Sequence, residues 1–536
     1  MNKLRLLRGL FWVCFFPLMV AAQGNEGDRL VQIQNANRFF FRSNEAGQQL
    51  QMLAGNVRMI QGKTIFQADS IVYNEQTQFL EGFGNVHIID KDSIHIYSNY
   101  LLYDGKKRMS YFKEKVKLSD GNGVLFTNVL DYDMKGKYGS YREGGRIETD
   151  GTILTSKSGY YYGDVKDVYF YGNVKMVNPE MTLVTDSLLY NTATRVSTFI
   201  APTTITSGKS VVQTQKGTYD LKVKQAKLGG RAKVKDSSSV LEANDINFDD
   251  STGMGEAKGK VWFKDTVQNI LLTGNRIYFN KLRKSFLATE KPVMVIVQDN
   301  DSTFVAADTI YSGLMADMPT GKGRYIRHFV SPLSLQNHKG RPASPTDTLR
   351  YITAFKNVRI YNDSLQAVGD SLYYSSVDSV FELYHNPVAW SKENQISGDT
   401  LLIKTADKKP ARIKVIQNGF MIQEENRKAS FFNQIKGKII DGYFKNGKID
   451  FVESTGNAES IYYIKNEDSA YVGMNKSVAD KIQIFFDDRS VYKIKFTKGI
   501  EGTNYPIRKI PEEERKLRGF EWKENRRPKS KTALFQ

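Results

Sequence analysis

Ala68-Asp69-Ser70-Ile71-Val72-Tyr73-Asn74 returns as Thr185-Asp186-Ser187-Leu188-Leu189-Tyr190-Asn191 and as Gly369-Asp370-Ser371-Leu372-Tyr373-Tyr374. Looser copies are Ser98-Asn99-Tyr100-Leu101-Leu102-Tyr103-Asp104, Asn244-Asp245-Ile246-Asn247-Phe248-Asp249, Ala307-Asp308-Thr309-Ile310-Tyr311 and Gly398-Asp399-Thr400-Leu401-Leu402-Ile403. A second phrase alternates with the first: Gly55-Asn56-Val57, Gly84-Asn85-Val86, Gly172-Asn173-Val174, then Gly259-Lys260-Val261 and Asn357-Val358. The period is about thirty residues, which marks a stack of similar units. A function spread along such a stack needs no single catalytic pocket.

Within the first phrase one phase is apolar: Ile71 and Tyr73, Leu101 and Tyr103, Leu130 and Tyr132, Leu188 and Tyr190, Ile246 and Phe248, Ile277 and Phe279, Leu372 and Tyr374. Within the second phrase it is Val57 and Met59, Val86 and Ile88, Val116 and Leu118, Val174 and Met176, Val358 and Ile360. Side chains alternate between the faces of a strand, so this period of two predicts strands with these residues pointing inward. Arg58, His87, Lys117, Lys175 and Arg359 fall on the outer phase. A solvated face and a rail for lipid phosphates both fit them, and Lys and Arg also guard sheet edges. Asn74-Glu75-Gln76-Thr77, Asp104-Gly105-Lys106-Lys107 and Asn191-Thr192-Ala193-Thr194 read as tight turns. The recurring Asp69, Asp186, Asp308, Asp370 and Asp399 are expected to cap turns by accepting backbone N–H bonds.

The chain opens with Lys3, Arg5 and Arg8, an apolar run from Gly9 to Val20, and small residues at Val20-Ala21-Ala22. This predicts a signal peptide over 1–22, cleaved before Gln23. The apolar run is shorter than the ~20 residues of a bilayer span. The single cysteine, Cys14, leaves with the signal, so thiol chemistry and disulfides are excluded from the exported protein. The net charge of +18 points to anionic partners. Export argues against nucleic acid and leaves a membrane surface or a phosphorylated glycolipid.

Repeats are expected over 23–318. A Pro-rich linker or inserted loop follows over 319–349, carrying Pro319, Pro332, Pro342 and Pro345. Further repeats occupy 350–430. From Phe431 the phrase changes while alternation continues, giving a divergent β region over 431–500. The charged tail occupies 501–536, and from Pro511 it reads as a short helix and a disordered end. Lys135 to Asp164 is rich in Gly and Tyr and fits a degenerate repeat.

No catalytic constellation stands out. His87 and His95 have no third ligand nearby in sequence, and one Asp per repeat is not an acid–base pair. Neither a phosphate-cradling glycine loop nor a nucleophile elbow is present. The expectation is therefore no enzyme, no cofactor and no metal. The apolar inner phase leaves two readings open: a filled β-core, or a groove for acyl chains.

The alternation of Gly-Asn-Val with Asp-Ser-Leu-x-Tyr-Asn after a cleavable signal resembles the OstA-like (organic solvent tolerance, LptA-type) family of lipopolysaccharide transport, in a large form of the kind found in Bacteroidetes-type bacteria. The clearest stretches are Gly55 to Asp104 and Leu154 to Asn191, with related repeats to about Lys404. The resemblance implies an all-β fold, a V-shaped and solenoid-like stack of antiparallel β-jellyroll repeats with an apolar interior groove. It implies a periplasmic protein that binds lipid A acyl chains and helps deliver lipopolysaccharide to the outer membrane, associated with that membrane or free of it. Its partners would be other jellyroll proteins of the same transport system, joined through strand edges, or further copies of itself. The acyl-contacting set would be Ile71, Tyr73, Leu101, Tyr103, Val174, Met176, Leu188, Tyr190, Ile246, Phe248, Ile277 and Phe279. The chain is longer than a single such module, and Phe431 to Trp522 fits the repeat poorly. A structural or adhesive exported β-solenoid without lipid cargo, and a carbohydrate-active enzyme on a β-helix, are the alternatives.

Overall fold

The computed structural model describes residues 31–535 apart from 44, 46, 92, 298–301, 319–347, 407–408, 446–447 and 488–489. The expected signal peptide and most of the expected Pro-rich linker lie outside the described residues. The described residues form antiparallel strands joined by short turns, and no α-helix occurs among them. The all-β expectation therefore holds. The chain divides into two compact units, Met1–Tyr169 and Phe170–Gln536.

In the first unit, Gln49–Gln61, Thr64–Asn74, Phe79–Asp90, Ile94–Asp104, Met109–Ser119 and Val124–Asp133 pair in succession. Each pairing breaks register at mid-strand, as between Ala54 and Val57. Gly55 and Asn56 sit at this break with φ of 79° and 48°, and Gly84 and Asn85 repeat it at 67° and 44°. Both residues are left-handed, a region that Gly tolerates freely and Asn better than most. The second phrase therefore encodes a β-bulge that bends the strand. Leu53 and Val57, one on each side of the bulge, are both buried. On the facing strand the buried phase switches between Ala68 and Ile71. The bulge thus keeps apolar residues on one side of a bent sheet.

The turns are capped by the residue that ends the first phrase. Asn74 accepts the amide of Thr77, Asp104 that of Lys107, and Asp133 those of Lys135 and Gly136. This corrects the expected role of the recurring Asp. Asp69 lies inside the strand Thr64–Asn74 and accepts the side-chain N–H of Asn85 at 2.9 Å. Asp308 accepts from Asn357 at 3.0 Å, and Asp399 from Asn418 at 3.0 and 3.1 Å. Asp186 and Asp370 likewise lie inside strands, Thr182–Asn191 and Gln366–Ser375. At Asp69, Asp308 and Asp399 the Asp of one strand therefore braces the bulge Asn of its neighbour. The stretch from Lys135 to Asp164 is a repeat, as its sequence suggests: Gly145–Glu148 pairs with Val124–Thr127, and Tyr138–Tyr141 with Gly159–Tyr162.

The second unit continues the pattern. Beyond Phe431 the strands lengthen to Phe431–Lys445, Lys448–Lys465 and Tyr471–Asp487, still antiparallel and still bulged. Ser490–Thr497 and Glu501–Pro506 then pair with the two halves of Tyr471–Asp487. The tail differs from its expectation. It forms isolated 3-10 turns at Ile507–Lys509, Glu512–Arg515, Glu524–Arg526 and Lys531–Leu534. Ile510, Leu517 and Leu534 along it are buried.

Candidate functional site

The inner face of the repeats is the candidate site, because it is the feature that every period rebuilds. Of the twelve residues expected there, Ile71, Tyr73, Leu101, Tyr103, Val174, Met176, Leu188, Tyr190, Ile246 and Ile277 are buried. Phe248 and Phe279 are half-buried and stack on each other at 6.0 Å between centroids. Phe248, Gly255 and Phe279 share one rung, and a Cβ on Gly255 would come within 2.1 Å of the Phe279 ring. The glycine thus makes room for the two rings. Burying a side chain of this size contributes about 1.5–3 kcal/mol. The inner phase is therefore a core of each unit whatever else it does.

Sequence reasoning missed the polar partners of the inner tyrosines. In the first unit the Tyr103 hydroxyl donates to Gln61 Oε1 at 2.5 Å, Tyr161 to Asp120 Oδ2 at 3.0 Å, and Tyr132 reaches Asp90 Oδ2 at 3.4 Å. The tyrosines end first phrases, whereas Gln61 and Asp90 end strands of the second phrase and Asp120 directly follows one. The contacts therefore join the two half-strand sets across the interior and form a polar seam. Asp90, fully buried, also accepts Thr64 Oγ1 at 2.9 Å. The shared spacing of Gln61, Asp90 and Asp120 with the tyrosine ladder was the available signal.

Burial pushes the Tyr103 phenol up to about 12 and raises Tyr132 and Tyr161 further, the neighbouring carboxylates adding to the effect on the last two. The seam tyrosines are therefore neutral donors. Burial works to raise the Asp120 carboxyl, but the amides of Asn122 and Gly123, the Lys166 ammonium and the Tyr161 hydroxyl together hold it below its usual value.

The outer basic residues do not behave as one row. Lys117 and Lys175 are exposed, Arg58 bonds Gln34, and Arg359 donates to the carbonyls of Ala533 and Leu534. His87 Nε2 lies 3.1 Å from His95 Nδ1, and its ring stacks on Tyr97. Burial first, then the neighbouring His95, lowers the basicity of His87. Among the described residues no group of three or more His, Cys, Asp or Glu is placed to hold a metal ion.

A bent, bulged antiparallel repeat defines the class: a β repeat protein, in its described residues, in which each repeat contributes residues to an apolar inner face. Residues 28–186 match the family described as OstA-like protein, and residues 141–236 match lipopolysaccharide-assembly, LptC-related proteins. The OstA-like match spans the first repeats, and the LptC-related match overlaps its end. No curated protein matches the chain. Among solved structures, the chain aligns with LptH, the LptA-homologous periplasmic component of the lipopolysaccharide transport device of Pseudomonas aeruginosa. That alignment has 15% identity, covers 20% of this chain and 82% of that one, and has a TM-score of 0.19.

Proposed function

We propose that the protein is a periplasmic lipopolysaccharide carrier without catalysis, which shields lipid A acyl chains along the inner face of its repeats and passes them toward the outer membrane. The observation that carries this reading is the recurring inner apolar phase, from Ile71 to Ile277 and beyond, in a chain whose first repeats match the OstA-like and LptC-related families. An exposed acyl chain costs ~0.8 kcal/mol per CH₂ in water, so a chain of about a dozen carbons costs roughly 10 kcal/mol. A stack of near-identical apolar rungs offsets that cost without one deep well that would trap the cargo. The acyl-contacting set is Ile71, Tyr73, Leu101, Tyr103, Val174, Met176, Leu188, Tyr190, Ile246, Phe248, Ile277 and Phe279.

Because the inner residues are buried against one another, entry of an acyl chain requires the half-sheets to part. In the first unit that means breaking Tyr103–Gln61, Tyr132–Asp90 and Tyr161–Asp120. Each is a hydrogen bond of modest net worth, ~0.5–1.5 kcal/mol, or more where a carboxylate accepts. A carrier needs a seam that is closed when empty and inexpensive to open.

The ends of the sheet suit strand-edge partners. The strand Arg38–Ser43 pairs on one side with Gln49–Ala54 and exposes Phe39, Phe40 and Phe41. An edge of this kind is a template for another chain. We assign it to a jellyroll partner of the same transport system.

The closed interior also favours a second reading, a filled β-solenoid with a structural or adhesive role. Mass spectrometry of lipid copurifying with the full-length protein from periplasm separates the two. Stoichiometric lipid A species are expected; a preparation free of lipid A would support the filled solenoid.

A further inference from the structure

The C-terminal segment crosses the second unit on the outer face of the sheet, opposite to the proposed lipid path. Register places Phe304 and Tyr361, Val368 and Val388, Gln366 and Trp390, Gln395 and Ile422, Gln434 and Ile461 on that face as successive cross-strand neighbours. Outer positions elsewhere are mostly polar, yet here Val368, Val388, Trp390, Ile422 and Ile461 are all buried. The tail covers Ile422 and Ile461. Ile510 and Leu517 pack with Phe420, Ile422, Ile461 and Met474, and Leu534 packs with Val293 and Ala306.

Two glutamines read the backbone of the tail in the same way. Gln434 donates from Nε2 to the carbonyl of Arg515 at 2.8 Å and accepts the amide of Leu517 at 2.9 Å. Gln395 donates to the carbonyl of Glu521 at 2.7 Å and accepts the amide of Lys523 at 2.6 Å. Each side-chain amide thus satisfies the carbonyl of one residue and the N–H of the second residue after it, as a neighbouring strand would. Both glutamines are buried, at 3% and 0% exposure, so either would pay a desolvation cost if the peptide left. Farther along, Arg527 donates to Gln366 Oε1 at 2.7 and 2.9 Å, and Arg359 donates to the carbonyls of Ala533 and Leu534. The segment forms no strand of the sheet, crosses many strands instead of pairing with one, and is held by side chains.

We propose that this outer face is a peptide-binding site, that its ligand class is an extended peptide recognised mainly through its backbone, and that its resident ligand is the chain's own segment from Ile510 to Phe535. The segment acts as a latch that docks on the finished sheet, seals its apolar outer face and ties its rungs together. This inference stands on contacts outside the inner face and does not depend on lipid binding.

The test uses the full-length chain with a protease site inserted between the exposed Arg508 and Lys509. After cleavage the released segment should stay bound through gel filtration and exchange with a labelled synthetic peptide of residues 510–536. In the uncut chain, hydrogen exchange should show the amides of Leu517 and Lys523 protected. Gln434→Ala and Gln395→Ala should each expose the corresponding amide, and the pair together should release the cut segment at least tenfold faster, with the strand amides of the sheet still protected. Prompt loss of the cut segment from the unsubstituted protein, or unprotected Leu517 and Lys523 amides in it, would overturn the proposal. A segment found bound on a second copy, as a crosslinked dimer, would overturn its assignment to its own chain.

Discussion

Asn85 donates its side-chain N–H to the carboxylate of Asp69 at 2.9 Å, which joins the two recurring phrases of the sequence across neighbouring strands. The bulge that bends one strand is braced by the residue at which its partner changes phase. Gly84 completes the arrangement, because a Cβ there would lie 2.4 Å from Asp69 Oδ2.

Gly84→Ala should therefore cost about 1–2 kcal/mol, from the left-handed backbone and the clash with Asp69. Asp69→Ala, at an exposed pair, should cost about 0.5–1 kcal/mol. The double variant should lose less than the sum, because removing the carboxylate relieves the clash. Urea unfolding of the four proteins measures this, and strict additivity would contradict the bracing role.

Tyr132→Phe should destabilise the first unit by about 1–3 kcal/mol, since it takes a donor from the fully buried Asp90 carboxylate. Tyr492→Phe, at an exposed ring, should stay within about 0.5 kcal/mol. Similar losses for both would show that the seam contributes nothing.

Alkaline pH should weaken the fold through its tyrosines. Burial raises Tyr103, Tyr141 and Tyr219 from an ordinary value near 10 to about 12. A group raised in the folded state contributes stability that is complete below its unfolded value and is lost as pH rises toward the folded one. Stability should therefore be flat below pH ~10 and fall between ~10 and ~12. Tyrosinate absorbance should show exposed phenols titrating first and the seam phenols only with unfolding.

Acid acts through Asp120 with the opposite sign. Its folded carboxyl is held below its ordinary value, so its contribution is present at neutral pH and disappears as pH falls through the folded value. Asp120→Asn should flatten the acid limb of the stability curve and lower stability at neutral pH. An unchanged acid limb would contradict the assignment.

Much of this was legible in the sequence. The period and the strand phases follow from local patterns, because alternation is a local property, whereas the bulge at Gly-Asn-Val shows only in the register between strands. The Asp69–Asn85 contact was not legible, since it depends on register between strands, and a carboxylate beside a strand reads equally well as a turn cap. The tail was misread for a similar reason. Its buried residues Ile510, Leu517 and Leu534 are sparse within a charged stretch, and their partners lie on strands far away in sequence. A clue was present at Val388-Ala389-Trp390, where alternation fails because both faces of that strand are buried.

The face assignment of the inner wall is tested most directly by site-specific photocrosslinking in cells. Leu188 and Tyr190 are buried on the inner phase, and Leu189 between them points the other way. A photoreactive residue at Leu188 or Tyr190 should capture lipopolysaccharide, and one at Leu189 should not. Equal capture at all three positions, or none at any, would contradict the account.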